Sequence, residues 1–339
     1  MQIDEKQQFG AIQPIIKPFS YQFRGMTDIV EELLFENGCV AYLPESEMQI
    51  GTYFDTYGCV SFSFNNGLET VGGRKIELES FRSENSKWLK DNFFKNGKLN
   101  FSDRDLVVLS KTNPEKGNDG WSVFLAAKNN GPVPESMNFF NLKDVNYSVN
   151  NKLAYYNYYR GKNEQKIADE FNKRFEIKVE WVERPDWQEA SKYGALQVYT
   201  KAWYQRNGKY YNPTPGQINH AIQMADVEGL KVFDSYDPFL KELEREEDFY
   251  YWALKINLIE KPMEKPEIKN NSLVLMVTGP GDVGLFLDGK IIKDNPALIL
   301  STWLARNSKG ETFSGGPVRS ITQEQWNLFE HYNLKMEKL

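Results

Sequence analysis

The stretch YGCVSFSFNNGLE, residues 57–69, sets a cysteine where an apolar helical repeat begins. Val60, Phe64, Leu68 and Val71 recur at near-helical spacing, which predicts a helix from about Thr56 that stops at Gly72-Gly73. Asp55 and Thr56 are the candidate N-caps, so Cys59 falls in the first turn. Two readings of Cys59 stand on this stretch alone. A helix N-terminus favours negative charge, so it lowers a thiol's pKa and can donate backbone N–H groups to an oxyanion. A free cysteine opening a core helix is equally an inert small hydrophobe.

Outward from this helix the pattern divides. Upstream, MTDIVEELLFENG (26–38) carries a helical stripe of Ile29, Leu33 and Leu34, closed by Asn37-Gly38, and YLPESEMQIGTYFDTYG (42–58) reads as a loop. Downstream, SENSKWLKDNFFKNG, SDRDLVVLSKT, GWSVFLAAKNNG and NEQKIADEFNKRF read as helices. EIKVEWV then alternates as a strand, and GALQVYTKAWY (194–204), NHAIQMA (219–225), LKVFDSY (230–236) and FYYWALKINLI (249–259) follow as further strands. A helical half followed by a β half predicts an α+β fold with two lobes. The expected organisation is an N-terminal extension over 1–45, a main domain over 46–259, and a proline- and lysine-rich linker over 260–271. A small β-rich domain over 272–339 completes it, with an Asp288-Gly289 hairpin turn and a last helix near TQEQWNLFEHYNL.

Bulk composition narrows the function classes. At 40% hydrophobic and 14% aromatic, 339 residues can bury a sizeable core. A formal net charge of -6 argues against non-specific nucleic-acid binding, which needs a basic face. Two cysteines allow at most one disulfide, which excludes a disulfide-stapled scaffold. The opening MQIDEKQQFG has no basic-then-apolar leader pattern, and apolar runs such as LVLMV (273–277) are too short to span a bilayer. The expectation is a chain made in a reducing cytoplasm, without a membrane span.

Only two histidines are present. His331 sits in WNLFEHYNLKMEKL, where an exposed helical position explains it. His220 opens a strand after a proline- and glycine-rich loop, a place where a structural role is common. If 219–225 and 230–236 pair symmetrically about residue 227, His220 lies opposite Asp234, within reach of an imidazole–carboxylate hydrogen bond. That is the base-and-orienter arrangement a catalytic cysteine needs.

Four segments in order resemble the papain-like cysteine peptidases over residues 46–258. CVSFSFNNGLE resembles the family's C-W-A-F-S nucleophile helix, and NFSDRDLVVLS its L-S-E-Q-x-L-V-D segment. GWSVFLAAKNNGPVPES is similar to the helix approaching the substrate cleft, and YGALQVYTKAWYQRNGKYYNPTPGQINHAIQMADVEGLKVFDSY to the β lobe with its N-H-A-(V/I). The resemblance implies a two-lobed fold, with a helical lobe and an antiparallel β lobe. It also implies Cys59 as nucleophile, His220 as general base and acid, and Asp234 where the family has asparagine. The family's oxyanion glutamine falls six residues before the cysteine, at Tyr53 here; Gln49 serves instead if four residues are inserted, with the Cys59 N–H as the second donor. Val60 and Tyr236 replace two family tryptophans. The variant pattern is most similar to papain-like proteins of bacteriophages and bacteria. The implied activity is peptide-bond hydrolysis through a thioacyl-enzyme on a peptide or protein substrate, with no cofactor and with incorporation in a virion among other assembly proteins. The competing expectation is the same fold kept as a structural or interaction protein with a weak or inactive site.

Other signals are discounted. GPGDVG (279–284) fits a dinucleotide fingerprint, but LFLDGKII after it reads as a strand and hairpin rather than a helix. YYNYYRGKNEQK (155–166) reads as packing surface, and KELEREED (241–248) as a solvated loop or helix face. Histidines and cysteines at distant positions offer no metal-ligand spacing.

Overall fold

A computed structural model describes residues 11–12, 32–50, 54–137, 156, 160–262, 273–279, 282–287, 290–294, 303–306 and 312–315. The chain divides into two units, Met1–Pro262 and Met263–Leu339.

In the first unit, helix α1 (Cys59–Glu77) is the central element. Cys59, Val60, Phe62, Phe64, Leu68 and Val71 are all fully buried. A helix buried on nearly every side must satisfy its polar residues internally. Ser63 Oγ therefore donates to the Cys59 carbonyl at 2.7 Å, and Thr70 Oγ1 to the Asn66 carbonyl at 2.7 Å. Helices α2 (Ser83–Phe93), α3 (Asp103–Leu109) and α4 (Gly120–Asn130) follow where the sequence pattern expects them. Between α2 and α3, the Asn96-Gly97 stop signal becomes the turn of a short hairpin, β1 (Phe94–Lys95) with β2 (Lys98–Leu99). The caps of α3 and α4 are local: Ser102 accepts from the Asp105 N–H, and Asp119 from those of Trp121 and Ser122. The amphipathic α5 (Lys162–Arg174) buries Ala168 and Phe171.

The β half is an antiparallel sheet built from β3 (Phe175–Glu183), β4 (Ala195–Thr200), β7 (His220–Asp226), β8 (Lys231–Phe233), β9 (Leu240–Glu242) and β10 (Trp252–Glu260). Its strand order among the described residues is β3-β10-β4-β7-β8-β9. A small hairpin, β5 (Tyr204–Arg206) with β6 (Lys209–Tyr211), lies outside this sheet. Helix α1 packs against β4, β7 and β10. The unit is thus mixed helix and antiparallel sheet, the expected α+β class.

Four local expectations are corrected. Residues 32–38 are not helical; the Leu34 and Phe35 N–H groups bond instead to the Lys192 carbonyl, which seats both side chains in the core. The N-cap of α1 is Gly58, not Asp55 or Thr56, and no side chain caps it. Asp55 turns away to accept the Tyr57 N–H at 2.7 Å, with Tyr57 at φ 50. The helix also runs through Gly72-Gly73 to Glu77. A Cβ at Gly72 would lie 2.7 Å from Leu99 Cδ1, so the absent side chain admits close packing and the helix continues. Finally, β7 and β8 pair as Gln223↔Phe233 and Met224↔Val232, a register two residues from symmetry about 227.

The described residues of 1–45 belong to the first unit, where the Ala11 N–H bonds the Asn219 carbonyl. The second unit contains an antiparallel set, β11 (Leu273–Gly279), β12 (Asp282–Leu287) and β13 (Lys290–Asp294), and a pair, β14 (Trp303–Arg306) with β15 (Thr312–Gly315). Asp282–Gly284 of the GPGDVG segment lie in strand β12 rather than in a helix, and Leu287 pairs with Lys290; Pro280-Gly281 and the expected Asp288-Gly289 turn lie outside the described residues. The helix expected near TQEQWNLFEHYNL, with His331, lies outside the described residues. Among the described residues no helix is long and apolar enough to cross a membrane.

Candidate active site

The start of α1 and the start of β7 meet in the interior of the first unit. Cys59 is the first residue of α1, and the backbone N–H of Ala221, the residue after His220, lies close enough to favour its thiolate. The thiol thus lies against the strand position that carries the imidazole. Burial pushes the Cys59 thiol well above its ordinary pKa, and the nearby Asp55 and Asp234 carboxylates push in the same direction. The Ala221 and Val60 N–H groups oppose them. Cys59 is 0% exposed and His220 1%, so both are sealed from solvent.

His220 Nε2 and Asp234 Oδ1 are 2.7 Å apart. The contact forms despite the corrected register, because on a pleated sheet diagonal neighbours on one face remain within reach of a long side chain. Asp234 follows β8 directly, and its own N–H bonds the Phe239 carbonyl at 2.8 Å, which turns the chain back toward β9. The carboxylate is bonded on both oxygens: Oδ1 also accepts the Ser235 N–H at 2.7 Å, and Oδ2 accepts Lys241 Nζ at 2.7 Å. Burial alone would raise this carboxyl, but the His220 and Lys241 charges and hydrogen bonds hold it below the usual carboxylate range. Trp203 stands edge-on to the imidazole at 5.5 Å between ring centroids, and the Tyr236 ring lies 5.7 Å away.

Gln49 is brought to the same cluster by a different set of bonds. Its Nε2 donates to Asp55 Oδ1 at 2.8 Å and to the Tyr236 hydroxyl at 2.6 Å. Its Oε1 accepts from Ser235 Oγ at 2.7 Å. Tyr236 in turn donates to Asp55 Oδ2. The amide is therefore held by the segment around Asp55 and by the Ser235–Tyr236 loop, and an oxyanion would replace one of its two acceptors. The second proposed donor, the Cys59 N–H, opens the helix.

Sequence reasoning missed Lys241. It lies in KELEREED, expected to be solvated, yet its side chain is 3% exposed and reaches the Asp234 carboxylate. In the same segment Asp248 is fully buried and bonded to Arg245. Charge runs carry no signal that distinguishes a buried member; the one available cue was its place seven residues after Asp234, across a proline-containing turn. Trp203 was likewise not singled out, because only the folded sheet brings its ring beside His220, and Asp55, read as an N-cap, binds the Gln49 amide instead.

The other cysteine, Cys39, is structural. It is free and buried, with its thiol donating to the Met224 carbonyl at 3.5 Å, and burial pushes its pKa up to about 12. Among the described residues no group of histidines, cysteines and carboxylates could hold a metal ion. No family model matches the chain, and no curated protein matches it.

Proposed function

We propose that the chain is a papain-like cysteine peptidase, acting on a peptide or protein substrate through Cys59, His220 and Asp234. The observation that carries this reading is the meeting of a helix-opening cysteine with the strand that bears a carboxylate-bound histidine. With Nε2 committed to Asp234, Nδ1 is the ring nitrogen that exchanges a proton with sulfur. The Cys59 thiol gives its proton to His220 as sulfur attacks the carbonyl carbon. His220 then passes that proton to the leaving amine as the C–N bond breaks. Water, deprotonated by His220, releases the acyl group and restores the thiol. The developing oxyanion is held by the Cys59 N–H and by Gln49 once its amide turns from Asp55 or Tyr236. Peptide access requires the covering residues to move, because the sulfur is wholly buried.

That burial also favours a second reading, in which the same fold serves as a structural or interaction protein in a virion or other assembly with a weak site. The two readings separate by labelling with a thiol-reactive peptidyl electrophile. The peptidase reading expects rapid, stoichiometric modification of Cys59 in wild type and a loss of at least about a hundredfold in rate in His220→Ala. Equal, slow labelling of both proteins would overturn it.

A further inference from the structure

Lys241 sits on β9, beyond the turn that follows Asp234. Its Nζ donates to Asp234 Oδ2 at 2.7 Å, to the Tyr236 carbonyl at 2.6 Å and to the Pro238 carbonyl at 2.6 Å. An ammonium's three hydrogens match these three acceptors. The Trp203 and Tyr210 rings flank it, with centroids 5.8 Å and 5.6 Å from Nζ. A buried lysine so arranged leaves no donor for an incoming ligand, and its effect is exerted on the carboxylate it pairs with.

We infer that Lys241 is a positioning residue that cancels the charge of Asp234, so that the imidazole of His220 is oriented by a carboxylate but faces a nearly neutral partner. This inference rests on the peptidase reading only for its consequence in catalysis. An unneutralised carboxylate on Nε2 would stabilise the imidazolium and withhold its proton from a leaving amine. Paired with Lys241, Asp234 orients the ring as a neutral amide would. The same three bonds fasten the 234–238 loop, which also supplies Ser235 and Tyr236 to Gln49. The other titratable groups around the pair are Asp55 and Cys59 from the α1 side, Tyr236 and Asp237 in the loop, and Tyr210 on β6.

The test is an NMR titration of the histidine imidazoles in the full chain, with His331→Gln assigning the two residues. In Lys241→Met the His220 midpoint rises by about one to two pH units relative to wild type, as expected for exposing one charge at this range. In Asp234→Asn with Lys241 retained it falls below wild type. In the double variant Asp234→Asn/Lys241→Met it returns to within about half a unit of wild type. A Lys241→Met midpoint unchanged within about 0.3 units would overturn the inference, since a merely structural lysine would not move it. If Lys241→Met does not fold, the double variant decides: return to the wild-type midpoint supports charge cancellation, and displacement by more than about one unit overturns it. The peptidase reading fails separately, through electrophile labelling that ignores His220, while the titration still reports the charge balance.

Discussion

Stability of the first unit should fall as pH rises from 5 to 7, and Glu69 on α1 is the residue that tests why. Glu69 accepts the Phe101 N–H, while Asp103 lies at the start of α3, and Glu47 and Glu135 approach with Arg104 between them. Burial pushes the Glu69 carboxyl well above the usual range, with Asp103 and then Glu47 adding to it. Burial likewise raises Asp103, with Glu47 and Glu135 adding and Asn65 and Arg104 opposing. An acid raised in the fold contributes its full stability below its unfolded value, near 4, and loses it as pH climbs toward the folded value. Each proton that the fold keeps and the unfolded chain releases costs about 1.4 kcal/mol per pH unit in that window. If both carboxyls stay protonated the slope reaches about 2.7 kcal/mol per unit. Glu69→Gln keeps an oxygen for the Phe101 N–H and removes one titration, so its slope should be lower by about 1.4 kcal/mol per unit. Cys39 and Cys59 are the chain's two cysteines, and both are buried in this unit. Pulsed alkylation of them in graded urea therefore reads its unfolding directly, after correction for the thiols' own pH dependence in the unfolded chain. Equal slopes in wild type and Glu69→Gln would refute the reasoning.

Asp234 predicts the opposite sign at the acid end. Its carboxyl is depressed in the fold, so its contribution is present above the unfolded value and is lost as pH falls through the folded one; Asp234→Asn should flatten the acid limb, measured by denaturation between about pH 2 and 4. Gly120→Ala should lower the melting temperature by an amount equivalent to about 1–3 kcal/mol, because its Cβ would stand 2.0 Å from Tyr199 Oη. That hydroxyl donates to Gln197, whose amide holds the Val60 carbonyl and Ser63 in the first turns of α1; an unchanged melting temperature by calorimetry would contradict the packing.

Much of the fold was legible because its determinants are local. The 60-64-68-71 repeat, the Ser102 and Asp119 caps and the alternation of EIKVEWV act within a turn or two of chain, and α1, α3, α4 and β3 lie where they point. His220 and Asp234 could be paired from the sequence because they share one hairpin. The symmetric register was wrong by two residues, since the turn closes as Asp226↔Lys231 and a bulge between Met224 and Asp226 takes back only one residue of the shift, and no local pattern announces either.

What remained was decided by packing between distant segments. Gly72-Gly73 reads as a stop until Leu99 and Leu258 are seen against it, where a missing Cβ becomes a condition of close approach. Lys241 reads as solvated until the turn after Asp234 folds it inward onto the carboxylate. Leu34 and Phe35 read as helix until Lys192 takes their N–H groups. The amino-acid sequence by itself determined the α+β class, the helix that opens at Cys59 and the His220–Asp234 partnership. The tertiary structure alone decided that the sulfur lies against Ala221, that Gln49 is held by Asp55 and Tyr236, and that a buried lysine balances the carboxylate. The physical reason is that periodicity and capping are properties of neighbouring residues, whereas burial and charge compensation are properties of whatever the fold brings alongside.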